Sequence, residues 1–425
     1  MATSYFHGTR VFKRDEQARP ISVEDYSSIG ALIVAPNADE DTFPLNTPVT
    51  LFTTETAKIQ KLGTGGNVDA VFSAINDQTD EYFTAAEVTV VRVAEGTGET
   101  PEAKLEGTMA NMVGTFAARS GAHALLHAVS RPSLLMAPGY VSQRISDAKN
   151  PVAAALDSVA KRLRAIKILD TPSASKEAAL EYREDFADDK RAYLISPAAR
   201  VPGPAGTPII QPLSGRVAGL FVRRDKTVGG PHESPSNQAI GGIVGLSRPI
   251  DYYDGEPDSE ANWLNENRIA TVIENGILWG NETCAADPLE RFVNVVRVED
   301  MIDRAVVKAF RKWATAKNLN VPVASSVVQS MDDFLSDAAN AGQIIAGRVW
   351  FDASVNSNSA MASGILRLEY DREPYAPLQD LQFYAGRNTG YYELVADGIT
   401  RAAEQITASR RQIVYGINTN PFASA

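Results

Sequence analysis

The sequence predicts a multidomain fold, α/β followed by α+β, with extended segments at both ends. Three observations predict it. The chain has 425 residues, more than one hydrophobic core ordinarily serves, so two or three domains are expected. Between residues 133 and 224 short β-prone runs alternate with amphipathic helical stretches, the pattern of a parallel sheet covered on both faces. From residue 287 the order changes to two long helices and then strands, while residues 4–20 are charged and extended, with Val11 and Phe12 too few to bury them.

Composition sets the outer bounds. With 44% hydrophobic and 22% charged residues the chain is globular. A formal net charge of -11 and a pI near 5.1 argue against bulk nucleic-acid binding and against adhesion to an anionic membrane. Cys284 is the single cysteine, which forbids an internal disulfide and fits folding in a reducing compartment. The N-terminus has no apolar signal core, and no apolar run reaches the ~20 residues that span a bilayer. A soluble chain made in the cytoplasm is expected, with no direct membrane insertion.

In chain order, residues 4–20 alone read as a frayed terminus. Residues 29–35 (IGALIVA) are a buried strand. Two helices follow at 56–62 and 67–78, the second presenting Val68, Val71, Phe72 and Ile75 on one face, and then a β-branched strand at 88–93. The intervening Gly63-Thr64-Gly65-Gly66 lacks a phosphate-loop lysine and reads as a flexible connection. A Gly/Thr-rich linker at 95–101 is a boundary candidate. Beyond it come helix 105–116, strand 133–136, helix 152–163, strand 165–169, helix 175–186, strand 191–195 and helix 211–224. Residues 262–284 (NWLNENRIATVIENGILWGNETC) hold two apolar runs around Asn275-Gly276, a strong hairpin signal. Helix 299–317 turns Ile302, Ala305, Val306, Ala309, Phe310 and Trp313 inward and Arg304, Lys308, Arg311 and Lys312 outward. Helix 323–341 and strands at 345–352, 363–370 and 378–386 complete this part. Residues 391–400 read as extended, and Ile413-Val414-Tyr415 as the centre of a pairing strand at 412–418.

Nothing assembles into a catalytic set. His123 and His127 are four apart on a predicted helix, a zinc-compatible spacing, but HALLH has no glutamate base. His232 lies close to Ser234 and Ser236, and adjacency in sequence does not make a triad. No G-x-S-x-G elbow occurs.

Four segments in order carry a resemblance. Phe43-Pro44-Leu45-Asn46 with Pro48-Val49 looks like an FPLNxPV loop and strand. Residues 230–246 (GPHESPSNQAIGGIVGL) resemble a Pro-x-Asn turn followed by Gly-Val-x-Gly-Leu. Leu264-Asn265, a buried strand and Trp279-Gly280-Asn281-Glu282-Thr283 resemble a Leu-Asn strand leading to Trp-Gly-x-(Arg/Asn)-Thr. Pro377-Leu378-Gln379-Asp380-Leu381-Gln382-Phe383 looks like a final core strand. Together they resemble the contractile phage tail sheath proteins.

The resemblance implies an arm–domain–domain–domain–arm layout. Residues 1–22 would be a linking arm, 23–97 a small α/β domain, and 98–283 a subtilisin-like-shaped α/β domain without catalysis. Residues 284–388 would be an α+β domain facing the tail tube, and 389–425 a C-terminal arm and extension. It also implies pairing with neighbouring subunits through Thr9, Arg10, Val11, Phe12 and Lys13 and through Tyr391, Leu394, Val395, Ile413, Val414 and Tyr415. Tube contact would run through Arg304, Lys308, Arg311 and Lys312. The implied partners are further copies of the chain in stacked hexameric rings, the tube, the baseplate and the tail terminator, within a virion tail assembled in the host cytoplasm. No cofactor, metal or nucleic acid is implied. The competing reading is an α/β hydrolase-like enzyme, which lacks a nucleophile with partners.

Overall fold

The computed structural model describes residues 20–22, 25–203, 206–274 and 276–417. The chain divides into two units, Met1–Pro377 and Leu378–Ala425.

The strands of the first unit are β1 (Ile29–Val34), β2 (Pro48–Phe52), β3 (Glu87–Val93), β4 (Leu134–Met136), β5 (Ile166–Asp170), β6 (Ala192–Ile195), β7 (Ala199–Val201), β8 (Ile209–Gln211), β9 (Gly245–Leu246), β10 (Ile269–Ile273), β11 (Ile277–Trp279), β12 (Ile344–Trp350) and β13 (Glu369–Pro374). Its helices are α1 (Thr56–Ile59), α2 (Val68–Asn76), α3 (Pro101–Val113), α4 (Pro151–Leu163), α5 (Lys176–Glu184), α6 (Ser214–Val228), α7 (Glu260–Glu266), α8 (Val293–Trp313), α9 (Val321–Asn340) and α10 (Asn358–Ala362).

One eight-stranded sheet organises this unit, in the order β11-β10-β6-β5-β4-β1-β3-β2. Its six inner strands are parallel, and an antiparallel strand closes each edge. Alternation along β1 sends Ile29, Ala31 and Ile33 to one core and Leu32 and Val34 to the other. Both faces are therefore buried, which is why the inner strands read as continuous apolar runs. α2 and α6 cover the first face, and α4 and α5 the second. α6 lies so close to α2 that a Cβ on Gly215 would sit 2.0 Å from the Ala70 carbonyl oxygen.

Several expectations are corrected. A boundary near residue 97 is absent from the packing, because β1 to β3 and β4 to β6 share this sheet. The GTGG segment is a close-packed turn: Gly66 has φ +61 and a Cβ there would collide with the Val34 carbonyl. Leu264-Asn265 lies in α7, not in a strand. His123 and His127 lie in a 3-10 helix, Gly121–His127, where positions four apart diverge by about 120° and cannot share a metal as they would on an α-helix. The hairpin at Asn275-Gly276 forms as β10–β11 with Thr271 opposite Trp279, though Asn275 itself lies outside the described residues.

A further core lies where α8 and α9 pack: Val298, Met301, Ile302, Ala305, Met331, Phe334, Leu335 and Ile344, joined by Tyr26 from the start of the chain. β12 and β13 form a two-stranded antiparallel sheet. The strand expected at 363–370 forms later, as β13, and residues 378–386 form no strand.

The second unit consists of residues 378–388, a 3-10 turn at Thr389–Tyr391 and α11 (Tyr392–Ile417). The extended segment expected at 391–400 and the strand expected around 412–417 are instead helix. Ala402, Ala403, Glu404 and Gln405 favour that helix locally, whereas the strand reading rested on three residues.

Candidate assembly interface

α8 is the hub of the first unit. Arg297, Met301 and Arg304 recur at i, i+4 and i+7, which stacks them on one stripe of the helix. Arg297 donates to both carboxylate oxygens of Asp225 on α6, at 2.8 and 2.6 Å, and both side chains are fully enclosed. Burial pushes the Asp225 carboxyl up, against the pull of the Arg297 charge. Asp300 accepts two bonds from Arg191 beside β6, at 2.5 and 2.8 Å. Asp303 pairs with Arg164 at the end of α4, accepts from the Tyr370 hydroxyl at 2.6 Å and lies 3.2 Å from Arg372 on β13. Arg304 is 6% exposed, donates to the Arg131 carbonyl at 3.1 Å and stands 5.0 Å over the Tyr26 ring. The helix thus fastens the large sheet to the β12–β13 pair through an ionic seam that is enclosed at Arg297–Asp225 and partly exposed at Asp303.

The outward surfaces are of a different kind. Among the described residues β12 pairs only with β13, so each presents a free backbone edge. Ile345 on β12 and Phe351 just after it are exposed. In the second unit Leu378, Leu381, Phe383 and Tyr384 are exposed, and so are Tyr391, Tyr392, Leu394, Val395, Ile399 and Ile406. Tyr392, Val395, Ile399 and Ile406 fall on one side of α11. Large apolar side chains left in water over such a length make this a candidate interaction surface.

The sequence-predicted site residues fall as follows. Thr9, Arg10, Val11, Phe12 and Lys13 lie outside the described residues. Arg304 is withdrawn from the tube-facing set, since it belongs to the buried stripe. Lys308 is half-buried and Arg311 exposed, and the Lys312 side chain is not described. Tyr391 ends the 3-10 turn before α11, Leu394 and Val395 lie in the first turn of α11, and Ile413, Val414 and Tyr415 lie in its last turns. Sequence reading missed Tyr26, Arg191, Asp225, Arg297 and Asp300. A signal existed for the two on α8, Arg297 and Asp300: Val293, Val295, Val296 and Val298 extend the apolar pattern one and a half turns before residue 299, so the helix is buried on two sides at its start.

The groups that invite a catalytic reading are structural. Asp170 Oδ1 accepts from the Leu213 and Ser214 amides at 2.7 and 2.9 Å, holding the start of α6, and burial pushes its carboxyl up to about 6. Lys167 is fully enclosed between Asp157 and Asp189. Burial pushes the Cys284 thiol up to about 12, far from a reactive thiolate. Among the described residues no cluster of His, Cys, Asp and Glu suits a metal ion, and no helix is long and apolar enough to cross a membrane.

No protein-family profile matches the chain. It is 35% identical over 369 residues to the putative prophage major tail sheath protein of Pseudomonas aeruginosa strain UCBPP-PA14, covering 85% of this chain and 91% of that one. It is 30% identical over 389 residues to the tail sheath protein of Escherichia phage P2, covering 89% and 94%. The chain belongs to the tail sheath protein family. Sheath proteins of contractile injection systems share its fold. The anti-feeding prophage helical sheath in the contracted state superposes with a TM-score of 0.64 at 14% identity, covering 91% of this chain and all of that one. The contracted PVC sheath gives 0.63 at 13% identity, covering 92% and 99%. As a sheath protein the chain has a structural role in a contractile tail. The exposed apolar side chains between residues 378 and 406 and the open β12–β13 edges are the candidate assembly surfaces of this sheath protein.

Proposed function

We propose that the chain polymerises as stacked hexameric rings around a tail tube and that the polymer contracts to drive the tube through a host cell envelope. The observation that carries this reading is that, among the described residues, the β12–β13 edges are open while residues 378–406 expose a run of large apolar side chains. An edge strand takes up an extended segment through backbone hydrogen bonds. The N-terminal segment with Thr9, Arg10, Val11, Phe12 and Lys13, and residues 378–388, are the segments to be donated, and Tyr391, Leu394 and Val395 add apolar contact from the turn and helix that follow. Ile413, Val414 and Tyr415 then add helical contact rather than a strand. Such linked subunits pass motion from ring to ring, and the work comes from two lattice packings that differ in free energy, so no nucleotide or cofactor is needed.

Tube contact in this reading falls to Lys308, Arg311 and Lys312 on α8. The large sheet region is the family's subtilisin-like-shaped domain without its chemistry, and the protein is not an enzyme. Further partners are the baseplate and the tail terminator. The location is the virion tail, assembled in the host cytoplasm. Neither nucleic acid nor direct membrane insertion enters the reading.

Deletion of residues 1–20 tests it. The expected result is a subunit with the circular dichroism of the parent that forms no sheath under the electron microscope. Normal sheath from the truncated chain would sink the linking-arm reading.

A further inference from the structure

The chain enters the subunit abruptly. Pro20, Ser22 and Asp25 are exposed, whereas Tyr26, Ser27 and Ser28 are buried and β1 begins at Ile29. Tyr26 is held from every side. Its carbonyl accepts from Ser133 Oγ at 2.5 Å and from Arg297 Nη2 at 3.2 Å. Its hydroxyl donates to the Arg164 carbonyl at 2.5 Å. Its ring lies 5.0 Å from the Arg304 guanidinium and 5.7 Å from that of Arg297. One residue outward, Lys226 on α6 grips the Asp25 carboxylate at 2.5 Å. One residue inward from Ser27, the Ser28 carbonyl accepts from the Ser133 and Leu134 amides at 2.9 and 3.1 Å. These partners belong to α4, α6, α8 and the start of β4.

We propose that Tyr26, held through its hydroxyl by the Arg164 carbonyl, gripped by Arg297, Arg304 and Ser133 and backed by the Asp25–Lys226 pair, is the anchor through which tension on the N-terminal linking segment enters the body of the subunit. The proposal rests on the linking-arm reading and adds the residues that make an arm mechanically useful. β1 lies between β4 and β3 in the interior of the large sheet. Without an anchor, a pull from before Ile29 would peel the backbone bonds of β1 one at a time. With Tyr26 fixed, the load divides among several elements before it reaches Ile29. The buried Arg297–Asp225 pair carries part of it into α6, and Arg304 carries part into the loop before β4. A tyrosine that merely filled the core would need neither the doubly held carbonyl nor a salt bridge on the residue before it.

The test uses full-length Lys226→Met, Tyr26→Phe and Tyr26→Ala, with the 1–20 deletion alongside. Sheaths are sheared by repeated passage through a fine needle, and their lengths are measured by negative-stain microscopy. Thermal melts of the subunits are recorded in parallel. Lys226→Met removes a partly exposed ion pair of small worth to folding. It is expected to melt with the parent yet break into short pieces under shear that leaves parent sheaths whole. Tyr26→Phe is expected to shorten sheaths in the same way, and Tyr26→Ala to lose intact sheaths. Should Tyr26→Ala fail to fold, the other two variants decide. Parent-length sheaths from both of them, with no sheath from the deletion, would overturn the anchor and leave the arm standing. Fragmentation that merely tracks a lowered melting temperature in every variant would give Tyr26 an ordinary core role and overturn the anchor. Shear-resistant sheath from the deletion would remove the arm, and the anchor with it.

Discussion

Arg297 is a full charge that the fold has taken out of water, and Asp225 is what makes that tolerable. Breaking a buried pair by removing one partner strands the other charge, at a cost of about 3–5 kcal/mol, whereas replacing both by apolar groups is often neutral. Arg297→Met is therefore expected to lower subunit stability by that amount, and Arg297→Met with Asp225→Leu to recover most of it, as read from urea melts. Asp170 gives a pH signature. Its carboxyl is pushed up to about 6 from 3.8, so its favourable contribution is complete below about pH 4 and is lost as pH rises through 6. The ionised form then costs the folded state about 3 kcal/mol. Asp170→Asn keeps a cap acceptor without the charge. Its stability relative to the parent is expected to improve by about that amount between pH 4 and pH 7, measured by melts across the range. A flat difference would contradict the burial of an ionised carboxyl. The valines before residue 299 signal that the start of α8 is buried, but the pairing itself was not legible: Asp225 lies 72 positions from Arg297, and the amides that hold Asp170 lie 43 and 44 positions from it.

At the scale of elements, α8 shows where sequence reading succeeds and where it stops. Its existence and inward face followed from Ile302, Ala305, Val306 and Phe310. Its outward face did not, because the burial of Arg304 depends on the loop at Arg131 and on Tyr26, both remote in sequence. With Arg304 committed to the interior, the proposed tube contact rests on Lys312, the half-buried Lys308 and the exposed Arg311. Lys308→Glu with Arg311→Glu is expected to abolish co-assembly with tube while sheath–sheath assembly persists, scored by microscopy with and without tube protein. Unchanged decoration of tubes would move the contact elsewhere. The C-terminal end went the other way. Residues 412–417 carry strand-forming Ile413, Val414 and Tyr415, but six residues follow the pattern of the twenty before them, and helix formation is cooperative. Local propensity lost to continuity.

At the scale of the whole molecule, the alternation of strands and helices from 133 to 224 made the parallel sheet legible, and the order of four motifs made the family legible. The join between residues 23–97 and 98–283 was not legible. The Gly/Thr-rich stretch at 95–101 looks like a linker, yet it connects β3 to a helix packed on the same sheet, and sheet order is a non-local property. The central claim is that this subunit is built to be completed by its neighbours. The most direct test is negative-stain electron microscopy of the purified chain at increasing concentration. Long, hollow, striated tubes are the expected result. Discrete particles at every concentration, with or without tube protein, would contradict it.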